Sequence, residues 1–247
     1  MKLHQLLFAA LPLLCSCSSS DDSDDPASGD ASLDELHAAF AEFDTTNTDI
    51  YLDGTTIVIE TNGLPNHTSP YWGEGHELYV APQDGFAPTP SLITDRDQDA
   101  TMRIPAAPVV TTPTDTSLGT IGIAVSGAAL YNDQEGNGAL DEAAASLDYT
   151  GAHIGPSDYH YHTEPVAFSD DDDALVGVLR DGFFVYGRKC NSTGTYPTDL
   201  DASMGHTSIT QHTTAPEYHY HVDSVLADVG LYLIFAGQYQ GTPGTVN

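Results

Sequence analysis

The tetrapeptide Tyr-His-Tyr-His occurs twice in the chain, once ending at His162 and once ending at His221. Successive side chains of a β-strand point to opposite faces, so each copy presents its histidines on one face and its tyrosines on the other. His160 therefore lies beside His162, and His219 beside His221. Two neutral imidazoles on one strand face can bind the same metal ion, and imidazole suits zinc and copper best. The repeated tetrapeptide predicts a metal site.

Another histidine precedes each tetrapeptide, at the end of a Leu-Asp-x-x-x-x-His segment. The first segment ends at His153, with five residues before its tetrapeptide, and the second ends at His206, with eleven. We predict that His153 and His206 supply further imidazole ligands, and that the six histidines form either one site or two. Asp148 and Asp201, the aspartates of these segments, are candidates to hydrogen-bond a ligand imidazole through its second ring nitrogen.

A single copy of the tetrapeptide has an alternative interpretation, a strand that buries its tyrosines and leaves its histidines in water. Two copies with the same upstream histidine favour metal binding, because exposed residues without a role have no reason to repeat together. The tyrosines are expected to form the apolar faces of their strands, with each buried hydroxyl hydrogen-bonded.

Asp181 is the candidate catalytic residue. It lies in the segment Arg-Asp-Gly-Phe-Phe-Val-Tyr-Gly. This segment belongs to the second copy of an internal repeat, described below, and the equivalent residue in the first copy is Ser126. Its carboxylate would act as a general base beside a metal-bound water, or accept a hydrogen bond from a ligand imidazole. The alternative role is that of the turn residue in an Asp-Gly pair.

One acidic segment imitates the start of an EF-hand calcium loop. Polar residues fall at positions one, three, five and nine of that pattern, namely Asp133, Glu135, Asn137 and Asp141. Gly138 occupies the glycine position, but Ala144 stands where the closing glutamate belongs. The segment is therefore either an incomplete calcium site or a polar turn.

The elements that carry these residues are predicted to be strands. After Asn47 the chain consists of short β-branched or aromatic runs bounded by Gly, Pro, Asn and Asp. Residues 121–131 align with residues 176–186, and a histidine segment follows each, which defines internal repeats at about 119–165 and 174–222. We predict an all-β antiparallel fold, a sandwich or barrel, with two equivalent halves in a pseudo-two-fold arrangement.

One short N-terminal helix is predicted to precede the strands. Ser32 and Glu35 form a capping box, and four apolar residues follow helical spacing, namely Leu33, Leu36, Phe40 and Phe43.

The N-terminus has the composition of an export signal. Lys2 precedes a short apolar run, and the Leu-Cys-Ser-Cys that follows resembles a lipobox. We expect residues 1–16 to be a lipoprotein signal peptide, Cys17 to be lipidated, residues 17–31 to form a disordered tether and residues 32–247 to form the domain. The alternative is a plain signal peptide cleaved nearby. Either form exports the protein, and lipidation would anchor it in the cell envelope, at the outer membrane or facing the periplasm.

Charge and cysteine content restrict the partners. The formal net charge is −30 at pH 7, which excludes nucleic acid because its phosphates would be repelled, and which favours cations. Of the three cysteines, Cys15 belongs to the signal and Cys17 carries lipid, so Cys190 has no intrachain disulfide partner.

In this order the motifs resemble the bacterial YHYH protein family. The shared features span residues 57–222 and begin with Thr-Asn-Gly-Leu-Pro-Asn-His, which ends at His67. The resemblance implies a secreted or envelope-associated domain in which His67 joins the six histidines, and it implies no particular activity. Family members commonly place cysteines near the Leu-Asp segments, where this chain has Tyr149 and Ala202 among other residues. This departure leaves a disulfide for Cys190 without support.

Together these features predict an extracytoplasmic protein that binds zinc or copper through seven histidines, namely His67, His153, His160, His162, His206, His219 and His221. If the protein is an enzyme, it is a metal-dependent hydrolase or a copper oxidoreductase acting on a small molecule or glycan. No nucleophile elbow, P-loop or dinucleotide fingerprint is present. The alternative is a calcium-stabilised surface binding or adhesion module without catalysis. The membrane is a partner only through the lipid anchor.

Overall fold

The computed structural model describes residues 35–136, 138–155 and 157–247. The predicted signal peptide, the tether and Cys17 lie outside the described residues, as does Ser32 of the predicted capping box. Within the described part of the chain, no helix has the length and apolar character needed to cross a bilayer.

Strands dominate the described residues. They are β1 Thr48–Asp53, β2 Thr56–Thr61, β3 Ala100–Pro105, β4 Thr114–Asp115, β5 Gly122–Ala124, β6 Ala129–Leu130, β7 Gln134–Glu135, β8 Gly138–Ala139, β9 Ala152–Ile154, β10 Tyr159–Tyr161, β11 Leu175–Leu179, β12 Phe184–Tyr186, β13 Gly205–Ser208, β14 Glu217–His221, β15 Gln238–Tyr239 and β16 Thr245–Val246. Short 3-10 helices connect them, namely η1 Ala38–Glu42, η2 Pro70–Trp72, η3 Ile93–Asp95 and η4 Leu140–Ser146.

The central element is an eight-stranded sheet with the order β13-β14-β12-β11-β5-β6-β10-β9. From the centre of the sheet outward, its two halves have the same strand order. Each half begins with an antiparallel hairpin, continues with a strand that pairs in parallel with the second strand of that hairpin, and ends with an antiparallel edge strand. The halves meet where β5 pairs antiparallel with β11, and Ile123 stands opposite its repeat equivalent Val178. A pseudo-two-fold axis therefore passes through this pair. The predicted all-β fold with two repeated halves is confirmed.

The sheet is open, since β13 and β9 form its two edges, and the barrel alternative is therefore excluded for it. A four-stranded sheet, β1-β2-β3-β16, contributes Ile59 and Met102 to a core shared with Val178 and Phe184 of the central sheet. This packing of one sheet on another corresponds to the sandwich alternative. The other face of the central sheet carries a second core, to which the tyrosines of the tetrapeptides contribute.

The predicted N-terminal helix was wrong in type and extent. In this segment the described residues form only the 3-10 helix η1, with His37 as its N-cap. Phe40 is still buried and packs on Phe184 with the ring centroids 5.1 Å apart. At Phe43 the backbone is extended, and Asp44 N donates a hydrogen bond to Val125 O at 2.8 Å. Docking on the sheet therefore ends the helical turn before an α-helix can form.

Candidate metal centres

The structure divides the six histidines into two groups of three, one group in each half of the central sheet. In the first half, His153, His160 and His162 lie with Glu135, and we call these four residues the glutamate site. In the second half, His206, His219 and His221 lie with Cys190, and we call these four the cysteine site. Within each site one potential ligand atom per residue lies within 4.8 Å of all the others. The choice between one site and two, left open by the sequence, is therefore resolved as two groups.

Strand pairing explains why a histidine precedes each tetrapeptide. β9 pairs antiparallel with β10 and places His153 directly opposite His160. β13 pairs in the same way with β14 and places His206 opposite His219. Directly opposed residues in an antiparallel pair share one face of the sheet. Each site is therefore built from one cross-strand pair of histidines and one neighbour two residues along the strand.

The ring nitrogens converge at the distances that a metal ion requires. In the glutamate site, His160 Nε2 lies 3.0 Å from both His153 Nε2 and His162 Nε2. In the cysteine site, His221 Nε2 lies 3.1 Å from His219 Nε2 and 3.3 Å from His206 Nε2. A tetrahedral ion with metal–nitrogen bonds of about 2.0 to 2.1 Å separates its nitrogen ligands by about 3.3 Å. The two separations in each trio are therefore close to the edge of such a tetrahedron.

The Nδ1 atoms of the tetrapeptide histidines all face backbone carbonyl groups. The acceptors are Asp158 O for His160 at 3.1 Å, Asn132 O for His162 at 2.6 Å, Glu217 O for His219 at 3.0 Å and Gly187 O for His221 at 2.7 Å. A carbonyl oxygen only accepts, so each Nδ1 must carry the proton. In the neutral ring the proton is then absent from Nε2, whose lone pair points into the site.

The two upstream histidines have the same tautomer for different reasons. His153 Nδ1 lies 2.7 Å from Ser146 Oγ, whose own proton is donated to Ala143 O. The serine oxygen therefore accepts, and His153 Nδ1 donates. His206 Nδ1 donates to the carboxylate of Asp199 at 2.9 Å. Hydrogen bonds of this kind fix the orientation of metal-binding imidazoles.

With every Nδ1 protonated and the rings neutral, the short contacts between Nε2 atoms in each site contain no hydrogen. Neutral imidazoles in this arrangement direct lone pairs at one another, which is unfavourable without a cation between them. Glu135 Oε1 adds to this, because it is buried without a hydrogen-bond donor in the described part of the chain. It lies 2.8 Å from His153 Nε2 and 3.0 Å from His162 Nε2. A bound metal ion would satisfy all of these atoms at once.

Burial keeps three of the six histidines neutral. Burial, with a smaller contribution from the neighbouring His162 and His153, lowers the pKa of His160 to about 4, although Asp158 acts in the opposite direction. Burial also lowers the pKa of His219 to about 4 and that of His221 to about 4. Imidazole must be deprotonated to bind a metal ion. At neutral pH these three histidines are therefore in the binding form.

Cys190 supplies sulfur to the second site. Its side chain is a buried free thiol, and Sγ lies 3.5 Å from His206 Nε2. Tetrahedral zinc separates a sulfur ligand from a nitrogen ligand by about 3.6 Å. The hydroxyl oxygens of Ser192 and Ser208 lie 3.2 Å and 3.1 Å from Sγ, in position to donate hydrogen bonds to a thiolate. The site thus offers three nitrogens and one sulfur.

Sequence reasoning missed both fourth donors. The sequence pattern places Glu135 in a calcium loop, and the cysteine count considers Cys190 only as a disulfide partner. Yet the offset that aligns residues 121–131 with 176–186 also aligns Glu135 with Cys190, each four residues after an equivalent tyrosine. Extending the repeat alignment by four residues would have identified them as equivalent donors.

The calcium-loop interpretation does not describe the fold of its segment. Gln134 pairs with Ala139 and Glu135 with Gly138, so the segment forms the β7–β8 hairpin, and η4 follows at once. Asn137 lies outside the described residues. The Glu135 carboxylate faces histidines rather than a ring of acidic oxygens.

The hydroxyl groups of the tetrapeptide tyrosines form hydrogen bonds with acidic or polar side chains on the face of the sheet opposite the histidines. Tyr159 donates to Asp148 Oδ2, and Tyr218 donates to Asp201 Oδ2, both at 2.7 Å. The aspartates of the Leu-Asp segments therefore hold tyrosines, whereas the sequence had suggested that they hold imidazoles.

Asp181 and Ser126 occupy equivalent places on this tyrosine face. Tyr220 donates to Asp181 Oδ2 at 2.5 Å, and the Tyr161 hydroxyl lies 3.0 Å from Ser126 Oγ. Burial raises the pKa of Asp181, while hydrogen bonds from Tyr220 and the backbone lower it. The structure places Asp181 beside Tyr220 and outside both groups of potential metal ligands.

His67 also lies on the tyrosine face. Its Nδ1 donates to Thr68 O at 2.9 Å, so its Nε2 accepts from the Tyr161 hydroxyl at 2.5 Å. The structure therefore places His67 behind β10, outside both groups of potential ligands.

Comparison with known proteins identifies one family. A family model described as YHYH protein matches residues 101–198. The matched range contains the whole glutamate site and Cys190. No curated protein and no solved structure gives a significant match. The match confirms the resemblance that the sequence motifs indicated.

Proposed function

We propose that this member of the YHYH protein family binds two transition-metal ions, zinc or copper, one in each half of its central sheet. The observation that carries the proposal is the shared tautomer. All six ligand histidines use Nδ1 to donate to fixed acceptors, and their Nε2 lone pairs converge in two trios. In neutral rings with the proton on Nδ1, no Nε2 carries a proton, so hydrogen bonding among the histidines does not account for this arrangement.

The donor sets favour zinc or copper over calcium. Calcium takes about six to eight oxygen ligands, whereas the glutamate site combines one carboxylate with three imidazoles. The cysteine site combines three imidazoles with a thiol, and thiolate is a soft ligand that favours zinc and copper(I). The same donor sets count against the calcium-stabilised adhesion module.

The proposed location is the cell envelope. The apolar run before Leu-Cys-Ser-Cys and the Ser- and Asp-rich residues after Cys17 support an exported chain with a lipid on that cysteine. In this compartment the protein would take up metal ions from outside the cytoplasm. Its formal net charge of −30 would attract such cations. A metalloenzyme, hydrolytic or copper-dependent, is compatible with the donor sets and depends on access to one of the ions.

The direct test is the metal content of the full chain, purified with zinc and copper supplied and measured by elemental mass spectrometry. We expect about two ions per chain, one for each group of donors. His160→Ala and His219→Ala should each reduce the content by about one ion, since each removes a ligand from one site. His76→Ala is the matched control, because His76 stacks on Trp72 away from both sites, and it should keep both ions.

The proposal would be refuted if the folded chain carried neither zinc nor copper, or if His160→Ala and His219→Ala left the metal content unchanged. Circular dichroism of each variant separates loss of a ligand from loss of the fold. Retention of lipid in a Cys17→Ala variant would contradict the envelope anchor and would leave the metal sites untouched.

A further inference from the structure

Building on the proposed function, we infer that the two sites have different roles. The glutamate site holds an ion from which water or a small anion can displace the fourth ligand, Glu135. The cysteine site holds its ion in a closed, structural coordination. The inference rests on how the two equivalent fourth donors are held and on what lies beside each.

Cys190 is held firmly. The residue is 1% exposed. Its backbone N–H donates to Thr195 O at 3.0 Å, and its carbonyl accepts from Gly194 N at 2.8 Å, which closes a tight turn around it. The hydroxyls of Ser192 and Ser208 contact Sγ directly. Backbone and side chain are thus both fixed, and the sulfur is sealed from solvent.

Glu135 is held much less firmly. Its side chain is 23% exposed, whereas the side chains of the three histidines of its site are 4% exposed or less. The strand that carries it belongs to a two-stranded sheet that is separate from the central sheet. A cavity of about 470 Å³ lies against this residue and is also lined by Leu118, Asp133 and Gly138. The carboxylate can therefore rotate away from the histidines into open space.

The consequences differ because the ligands differ. Rotation of Glu135 leaves three imidazoles and one vacant position, which is the donor set of zinc sites that bind water and lower its pKa to about 7. The cysteine site has four protein donors with no comparable opening at its sulfur, and closed four-coordinate sites are structural. The ligands that fit the vacated position are water, hydroxide and small monodentate anions.

The test uses the full chain loaded with Co²⁺, because Co²⁺ accepts the same donors and a thiolate-to-cobalt charge-transfer band reports on Cys190 alone. Excess chelator should remove cobalt in two phases whose rates differ by roughly tenfold or more. The fast phase should leave the thiolate band intact, and the slow phase should remove it. Azide added to the loaded protein should change the visible cobalt bands without changing the thiolate band.

Variants assign each phase. Glu135→Gln should accelerate the fast phase by roughly tenfold or more and leave the slow phase unchanged, because it weakens one ligand only. Cys190→Ser should abolish the thiolate band and leave the fast phase unchanged. Asp133→Asn is the matched control, since Asp133 lines the same cavity but belongs to neither group of donors. It should change neither phase.

A single release rate for both ions would overturn the inference, and so would loss of the thiolate band in the fast phase or a response of that band to azide. Each of these outcomes would leave two bound ions and hence the proposed function standing. A folded chain that takes up no cobalt at either site, and no zinc or copper, would overturn the proposed function as well. The azide titration uses the unmodified chain, so it remains decisive if Glu135→Gln fails to fold.

Discussion

Acidification should destabilise the metal-free protein through three buried histidines. In the folded chain the pKa values of His160, His219 and His221 are lowered to about 4, whereas an unfolded chain titrates its histidines near about 6.5. The unfolded state therefore binds more protons between these two values. For a lowered histidine pKa, the stabilisation is present above about 6.5 and is lost as the pH falls towards about 4.

The size of the effect follows from the shift. Each unit of pKa difference corresponds to about 1.4 kcal/mol, so lowering the pH from about 7 to 4.5 costs about 2 kcal/mol for each of the three histidines. If their effects add, the total is about 6 kcal/mol, which for a domain of this size corresponds to a decrease in Tm of roughly 12 to 24 °C. His219 and His221 interact, so their protons are taken up as a coupled pair.

The measurement is urea unfolding of chelator-treated protein at several pH values between about 7 and 4.5, where the slope of the unfolding free energy counts the excess protons bound on unfolding. His219→Gln removes one of the three shifted groups, so its slope should be smaller by about one proton. Protein refilled with zinc should be more stable than metal-free protein at neutral pH, because the ion binds the folded state. Equal slopes for the unmodified chain and His219→Gln would refute the reasoning, and so would stability that rises as the pH falls.

Two further substitutions test the elements behind the sites. Gly151 lies in the turn that leads to His153 and has φ of +80°, and a Cβ at this position would overlap Thr163. Gly151→Ala should therefore destabilise the fold by about 1–3 kcal/mol or more, measured by urea unfolding. An unchanged unfolding midpoint would contradict this expectation. Tyr220→Phe removes the hydroxyl that donates to buried Asp181 and should cost about 1–3 kcal/mol of stability. Its metal content should stay at the level of the unmodified chain, and loss of the ion from the cysteine site would show that the two faces are not independent.

The internal repeat made the two-fold organisation of the fold predictable from the sequence. The alignment of residues 121–131 with 176–186 predicted two equivalent halves, and the antiparallel pairing of Ile123 with Val178 is the symmetric contact that such halves require. The parallel pairing of the tetrapeptide strands with β6 and β12 was not predictable. It depends on long-range packing of short strands, which local sequence patterns do not encode. Burial of Phe40 against Phe184 similarly overrode the helical spacing at the N-terminus.

The histidines of the candidate sites were predictable because strand alternation is a local property. His160 with His162 and His219 with His221 share a face by geometry alone, and the shared upstream histidines identified His153 and His206. His67 came from family resemblance, and the structure puts it beside Tyr161, outside both groups. The carbonyl acceptors that set the tautomers have no sequence signal at all, since every residue has a carbonyl group.

The same backbone acceptors explain how two sites of one design can hold different fourth donors. Asn132 O orients His162, and Gly187 O orients His221, so the carbonyls at equivalent positions fix equivalent imidazoles whatever the side chains there are. Most of each site therefore belongs to the repeated backbone, and the identity of the residue at the Glu135 and Cys190 position can change without disturbing the trio. An exchange of carboxylate for thiolate at that one position changes the softness and the access of the fourth donor together. We therefore expect the functional difference between the halves to reside there, rather than in the tetrapeptides that first distinguish the sequence.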